Sequence, residues 1–383
     1  MNGGQVADDK MKGGATAAID RPCFAMYRLP HQQACHFICG CGETLSSFTP
    51  LDGRSGYVIA PFRIGADTPL VIIRAERNEV FDSPDAITEE VAEFVNGNAV
   101  VSSRCAPRDY NEAREVYAKD FEAFHAKLEG GEFGKIVLSR HACAAVRKTA
   151  MEMFRTACEL YPRMFIALFS SPWSGSWLVA SPEIILEGSD GMWHTMALAG
   201  TMPLGDGAET RRERKAEGRE RMVEGREETV EWSEKNIREQ RYVATYIADR
   251  VRPFAKEMME TGPVTTRAGQ LLHLKSDFTF TTDGSNIGAL LKALHPTPAV
   301  CGVPKEETCR FIIENEHCRR RYYCGFCGPL WTDGETHLFV TLRCMDLSNG
   351  LLYAGGGLLK ESSEAMEWEE TEAKMGTMRK VLE

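Results

Sequence analysis

Short apolar runs alternate along the chain with longer stretches in which apolar residues recur at helical spacing. Before residue 110, "GYVIAPFR" and "LVIIRAE" read as strands broken by Gly and Pro. "RDYNEAREVYAKDFEAFHAKLEGG" reads as a helix stopped by Gly130 and Gly131. "KIVLSRHACAAV" follows as a strand, and "TAMEMFRTACELYP" as a helix closed near Pro162. "MFIALFSS" and "SWLVAS" are strands separated by a Pro/Gly turn. Residues 209–254 are highly charged; their opening part reads as a solvated loop or helix. The latter part turns amphipathic, with Ile237, Val243, Ile247 and Val251 on or near one helical face. Past residue 260 come the strands "LLHLKSDFTFTT", "YYCGFCGPLWT", "THLFVTLRCMDL" and "LLYAGGGLLK", then a last helix, "SSEAMEWEETEAKMGTMRKVLE". Antiparallel-looking strands with helices between them predict one α+β domain built on large sheets. It spans residues 21–383, behind a polar, Gly/Ala-rich tail at 1–20 that is expected to be disordered.

Composition narrows the function. The 383 residues, 43% of them hydrophobic, can bury a large core. A net charge of −10 argues against nucleic acid or an anionic membrane as the main partner. No stretch approaches the roughly 18 consecutive apolar residues of a membrane span, and the N-terminus lacks the apolar segment of a signal peptide. A cytoplasmic chain, monomeric or a weak homodimer, is expected. Thirteen cysteines at irregular spacing do not form a disulfide framework, so reduced, mostly buried thiols are expected. Cys35, Cys39 and Cys41, and the Cys324/Cys327 CxxC, lack the second ligand pair of a zinc site.

Lys135, at the head of "KIVLSR", is out of place, because a core strand seldom begins with an ammonium. Taken alone, it is a strand-edge charge kept in water. Glu367, Glu370 and Lys374 share a face of the last helix, and Lys235 and Glu239 lie four residues apart on another. Each set reads either as surface charge pairing or as an acidic face that meets its partner over a hard cation such as Mg²⁺. Gly355, Gly356 and Gly357, in a strand-like run, suit a backbone that must approach something closely. With Lys374 and Arg343 nearby, their amides would suit a carboxylate-bearing ligand. "MALAGTMPLG" repeats the theme with Gly200 and Thr201, and Glu183 follows Pro182 at a strand start.

These motifs have a shared order. "KIVLSR", "ASPEIIL", "LAGT", "EKNIREQ", "LLHLKS", "LHPTPAVCGVP", "RRYYCGFCGPL", "FVTLR", "AGGGLL" and "EWEETEAK" occur as they do in the chorismate-utilising enzymes, which the chain resembles over about residues 115–380. The resemblance implies one α+β domain of two stacked, mainly antiparallel β-sheets flanked by helices, as in anthranilate synthase component I. The site would lie between the sheets, and the first 110 residues would supply outer strands. Ammonia-adding members have glutamine at the position of Lys135, whereas lysine marks the water-adding branch. The nucleophilic lysine of aminodeoxychorismate synthases is here Ala199, and Ala299 is similar to the isochorismate synthases rather than the salicylate synthases.

The resemblance further implies an Mg²⁺-dependent, reversible conversion of chorismate to isochorismate, with salicylate synthesis or non-catalytic chorismate binding as alternatives. Glu239 and Glu370, with Glu367 through water, would hold the cation. Arg343, Lys374, Gly355 and Gly357 would hold a substrate carboxylate. Lys135 would be the base toward water, and Glu183 the acid toward the departing C4 hydroxyl. Gly200 and Thr201 would contact the new C2 oxygen; His273, Ala299 and Tyr323 would line the pocket. Asn236 and Gln240 depart from the family, which often has an acid and a histidine there. Arg320 is expected to pair with Glu316. Menaquinone or siderophore synthesis is the expected use of the product, the former preferred.

Overall fold

The computed structural model describes residues 22–102, 105, 110–203, 232–269, 271–282 and 286–383. The expected tail at 1–20 and the opening of the charged segment lie outside these residues. Two nine-stranded sheets carry the fold, and their pairings among the described residues are antiparallel throughout. In the first sheet the lysine strand Lys135–Cys143 lies between Gly302–Val303 and the glycine strand Leu351–Leu358. Cys344–Asp346, Gly175–Ser181 and Phe165–Ser171 follow, and the N-terminal strands Cys23–Arg28, Cys35–Gly40 and Arg77–Phe81 complete it. The second sheet runs Glu257–Ala268, Leu271–Thr281, Met192–Pro203, Ile184–Ser189, Thr336–Val340 and Phe326–Leu330, then Gly56–Ala60, Leu70–Ile73 and Gly42–Leu45. The N-terminal segment thus supplies the outer strands at one end of both sheets.

Strand periodicity builds two cores. Phe165, Ala167 and Phe169 face the second sheet, where Phe165 stacks on Phe339 at 4.2 Å and Phe169 meets Tyr57 at 6.3 Å. The alternate residues Ile166 and Leu168 face outward. There they pack with Val91 and Val95 of the helix Glu89–Asn98, Phe154 of Ala150–Leu160, and Met375 and Met378 of the C-terminal helix Glu364–Leu382. The last of these helices places its Glu367 face at the glycine strand. The central helix Glu234–Val251 packs on Met192–Pro203 through Val243, Ile247 and Val251, whereas Ile237, in its first turn, is exposed.

Two departures from the expected strands position the site. "THLFVTLRCMDL" is not one strand: Thr336–Val340 belongs to the second sheet and Cys344–Asp346 to the first, so the chain crosses at 341–343. Arg343 takes a φ of 44° at this crossing. Pro182 and Glu183 make the other crossing, from Gly175–Ser181 to Ile184–Ser189. Hydrogen bonds tie the two together: Val340 N donates to Glu183 O at 2.9 Å, and Ala180 N to Arg343 O at 3.1 Å. Similarly, "YYCGFCGPLWT" becomes strand only from Phe326. A disulfide joins Cys105 to Cys143, a pairing that irregular spacing could not reveal, while the other eleven cysteines are free.

Candidate active site

The lysine and glycine strands pair residue for residue, Gly355 opposite Ser139 and Gly357 opposite Val137. Side chains at these glycines would press on the acidic groups that lie over them. A Cβ on Gly356 would sit 2.6 Å from Glu367 Oε2; one on Gly357 would sit 2.2 Å from Glu239 Oε1 and 2.8 Å from Lys135 Cε. The absence of side chains lets two acidic helices close on the strand. On the second sheet, a bulge between Ala199 and Thr201 holds Gly200 at a φ of 75°. It turns the Gly200 carbonyl toward His273 Nδ1, 3.1 Å away.

Between these elements lies a narrow cavity of about 60 Å³. Glu183, Gly200, Thr201, Glu239, His273, Ala299, Tyr323, Arg343, Gly355, Gly357 and Lys374, all expected from the sequence, line it. Lys135, Glu367 and Glu370 stand behind this lining. Fully buried, Lys135 keeps its Nζ 2.9 Å from Glu239 Oε1, close enough for an ion pair but without hydrogen-bond alignment. The strand-edge reading is therefore wrong: the ammonium is enclosed.

Lys235 and Glu239 do not pair with each other along their helix. Lys235 reaches Glu367 Oε1 at 2.5 Å, to which Ser362 also donates at 2.7 Å, leaving the buried Glu367 Oε2 without a partner. Lys374 donates to Glu370 at 2.6 Å and to the Gly355 carbonyl at 2.8 Å. Three carboxylates thus face three ammonium groups. Burial outweighs Lys235 to raise the Glu367 carboxyl above its ordinary range, helped by the Glu370 charge. For Glu370, burial raises but Lys374 prevails, and the carboxyl is held low. Among the described residues, no three His, Cys, Asp or Glu side chains converge as a ready-made metal cage.

Glu183 is almost fully buried, its Oε1 has no hydrogen-bond partner, and burial pushes its carboxyl up to about 8 against the pull of Lys135 and Lys374. It is therefore largely protonated at neutral pH. Burial, with Arg343 and Lys374 nearby, pushes His273 well below its ordinary range. The neutral ring fits its contacts: Nδ1–H donates to the Gly200 carbonyl, and Nε2 accepts from Arg343 at 3.1 Å. Burial lowers the Arg343 guanidinium to about 10, and it has no carboxylate ion-pair partner among the described residues. A buried cation so placed has the charge and donors that suit an anionic ligand.

Residues beyond those expected complete the enclosure. Tyr353 stacks on Tyr323 at 5.3 Å and shares the cavity wall with Val137, Leu198 and Leu342. All four lie inside the quoted stretches, but nothing in those stretches singles them out as lining; their place follows from strand pairing. Tyr322 instead points away and donates to the Pro69 carbonyl. Arg320 pairs with Glu316 at 2.7 Å, both buried, and donates to the Val300 and Val137 carbonyls, bracing the lysine strand against the Ala299 loop. Gln240 hydrogen-bonds Ser276 in the interior, and Asn236 reaches the Thr201 carbonyl. Both serve as struts.

The model of the family of chorismate binding enzymes matches residues 73–383. The chain belongs to this family. Isochorismate synthases are among its relatives: DhbC of Bacillus subtilis is 29% identical over 70% of this chain, and MenF of Escherichia coli 27% over 66%. The salicylate biosynthesis isochorismate synthase of Pseudomonas aeruginosa is 30% identical over 71%. The aligned parts span 68%, 57% and 55% of those proteins, respectively. Three solved structures share the fold. A putative 2,3-dihydroxybenzoate-specific isochorismate synthase of Bacillus anthracis has a TM-score of 0.72 at 22% identity, covering 94% of this chain and 96% of its own. The Escherichia coli MenF structure has 0.71 at 20%, covering 96% and 90%. Anthranilate synthase component I of Streptococcus pneumoniae follows at 0.64 and 16%, covering 97% and 95%. Among the described residues no helix is long and apolar enough to cross a membrane.

Proposed function

We propose that this family member is an isochorismate synthase, converting chorismate reversibly to isochorismate. The observation that carries the reading is the buried, unpartnered Glu183 carboxyl, held largely protonated in a cavity backed by the enclosed Lys135. The Lys135 ammonium would first give a proton to solvent, and the amine so formed would take a proton from water as its oxygen bonds to ring C2. Glu183 would give its proton to the C4 hydroxyl, which leaves as water while the two ring double bonds shift. One water enters and one departs, so the product is an isomer. The pair ends as an ammonium and a carboxylate, and proton exchange with solvent resets it. Arg343 and Lys374 would hold a substrate carboxylate, with the Gly355 and Gly357 backbone allowing close approach. Gly200 and Thr201 would contact the C2 oxygen.

Glu239, Glu367 and Glu370 do not converge as a ready-made cage. Two carboxylate ligands completed by substrate and water oxygens are nonetheless what Mg²⁺ takes, and the orphaned Glu367 Oε2 is free to accept from a metal-bound water. We assign Glu239 and Glu370 as ligands and Glu367 as a helper through water. When bound, the ion would neutralise substrate charge. Glu239 belongs both to this set and to the Lys135 ion pair, so it couples the base to the cation site. A cytoplasmic setting is proposed on the eleven free thiols, with the Cys105–Cys143 disulfide standing against it. We place the product in menaquinone or siderophore synthesis and favour a monomer or weak homodimer. The test is chromatography of the purified chain with chorismate, with and without Mg²⁺. Metal-dependent isochorismate is expected. Salicylate plus pyruvate would move the chain to the lyase branch, and anthranilate formed with ammonium would overturn the role of Lys135.

A further inference from the structure

One pair of free cysteines adjoins the active-site wall. Cys301 follows Ala299 and Val300, which line the cavity, and its carbonyl accepts from Val137 N of the lysine strand at 2.7 Å. Gly302–Val303 then pairs with that strand, and the helix Lys305–Asn315 begins after Pro304. Gly302 lets this helix close in, since a Cβ there would meet Thr308 Cγ2 at 2.8 Å. The buried Cys301 Sγ stands over the start of the helix, 3.6 Å from Thr308 Oγ1 and 3.9 Å from the Lys305 carbonyl. In the helical ladder that carbonyl faces the N–H of Cys309, four residues on. The sulfur therefore lies over the turn that carries Cys309, and the two thiols hydrogen-bond each other. Cys309 is half-buried, so solvent reaches it.

This thiol differs from the others that solvent reaches. The hydrogen bond from Cys301 outweighs burial and, with Arg320 and Arg63 nearby, lowers Cys309 to about 7 against the charge of Glu306. The Lys305 ammonium is a further cation beside it. Among the described residues the other free thiols not buried are Cys39 and Cys41, and both are held above their ordinary range, the first by burial and the second by Glu76. We propose that Cys309 and Cys301 form a thiol–disulfide exchange site for a small disulfide in solution, such as oxidised glutathione. The Cys309 thiolate attacks one glutathione sulfur, displaces the other as a thiolate, and is left in a mixed disulfide. Cys301, no longer donating to a thiolate, gives its proton to solvent, and its sulfur attacks Cys309 Sγ as the second glutathione thiolate leaves. Two protein thiols thus become one disulfide, and one glutathione disulfide becomes two thiols. In a reducing compartment such a bond is transient and suits redox sensing.

The test is mass spectrometry of the full chain after incubation with oxidised glutathione, trapping of remaining thiols with N-ethylmaleimide, and tryptic digestion. Cleavage after Lys292, Lys305 and Arg310 puts the two cysteines in separate peptides, 293–305 and 306–310, which should be recovered as one disulfide-linked species. Cys301→Ser should stop with one glutathione on Cys309, and Cys309→Ser should leave Cys301 unmodified, both with a native circular dichroism spectrum. In the wild type the rate at Cys309 should titrate near pH 7 and at that pH exceed the rate at Cys41 by at least about tenfold. Unlinked peptides, glutathione on Cys301 in Cys309→Ser, a rate that titrates near the ordinary 9.0, or equal reaction at Cys41 would each overturn the proposal. The linkage and the pH profile need no variant, and neither reads turnover, so their failure is distinct from failure of the synthase reading.

Discussion

Glu183→Gln separates the acid role from the fold because the buried carboxyl opposes stability at high pH. Its folded pKa of about 8 lies above the ordinary 4.5, so the folded state holds the proton more tightly than the unfolded chain. The contribution is fully present below 4.5 and is lost as pH rises to about 8. At about 1.36 kcal/mol per pH unit, the whole window amounts to roughly 5 kcal/mol. Glutamine keeps the shape without the proton equilibrium. Between pH 5 and 9 the stability of Glu183→Gln relative to wild type should therefore grow by roughly 4 kcal/mol. Urea denaturation at several pH values, followed by far-UV circular dichroism, measures this. Turnover by the variant should be lost throughout, and wild-type turnover should decline as pH rises past about 8. A stability difference that does not change with pH would mean that Glu183 is ionised in the folded protein, and the acid assignment would fall.

Three further outcomes follow from the same contacts. Lys135→Ala should lower turnover by roughly 10² to 10⁴, with a native circular dichroism spectrum. Retained activity would remove Lys135 from the reaction. Glu239→Ala should weaken Mg²⁺ binding at least about tenfold, measured calorimetrically; unchanged affinity would show that Glu239 is not a ligand. Arg320→Met should destabilise the protein by about 3–5 kcal/mol, because it leaves Glu316 buried and unpaired, and a loss under 1 kcal/mol in urea denaturation would contradict the bracing role.

Much of this was legible in the sequence, for identifiable reasons. Strand patterning gave the lysine and glycine strands nearly to their ends, and stop signals gave the helix Tyr110–Glu129. The crossing at 341–343 was not legible, because "THLFVTLRCMDL" is apolar on both sides of it and the change of sheet is a tertiary event. The pairing of Lys235 with Glu367 was hidden for a related reason. Helical spacing favours Glu239 as its neighbour, while the actual partner is 132 residues away on another helix. The burial of Lys135 likewise depends on glycines 220 or more residues later that admit Glu239. The Cys105–Cys143 pairing had no sequence signal, because it arises where distant segments meet.

The central claim, that Lys135 delivers water to C2, is tested most directly by running the reaction in ¹⁸O-labelled water and locating the label by mass spectrometry at early turnover. The account predicts isochorismate labelled at the C2 hydroxyl with wild-type protein and no labelled product with Lys135→Ala. Unlabelled isochorismate from the wild type would mean that the C4 oxygen migrates within the ring, and would contradict it.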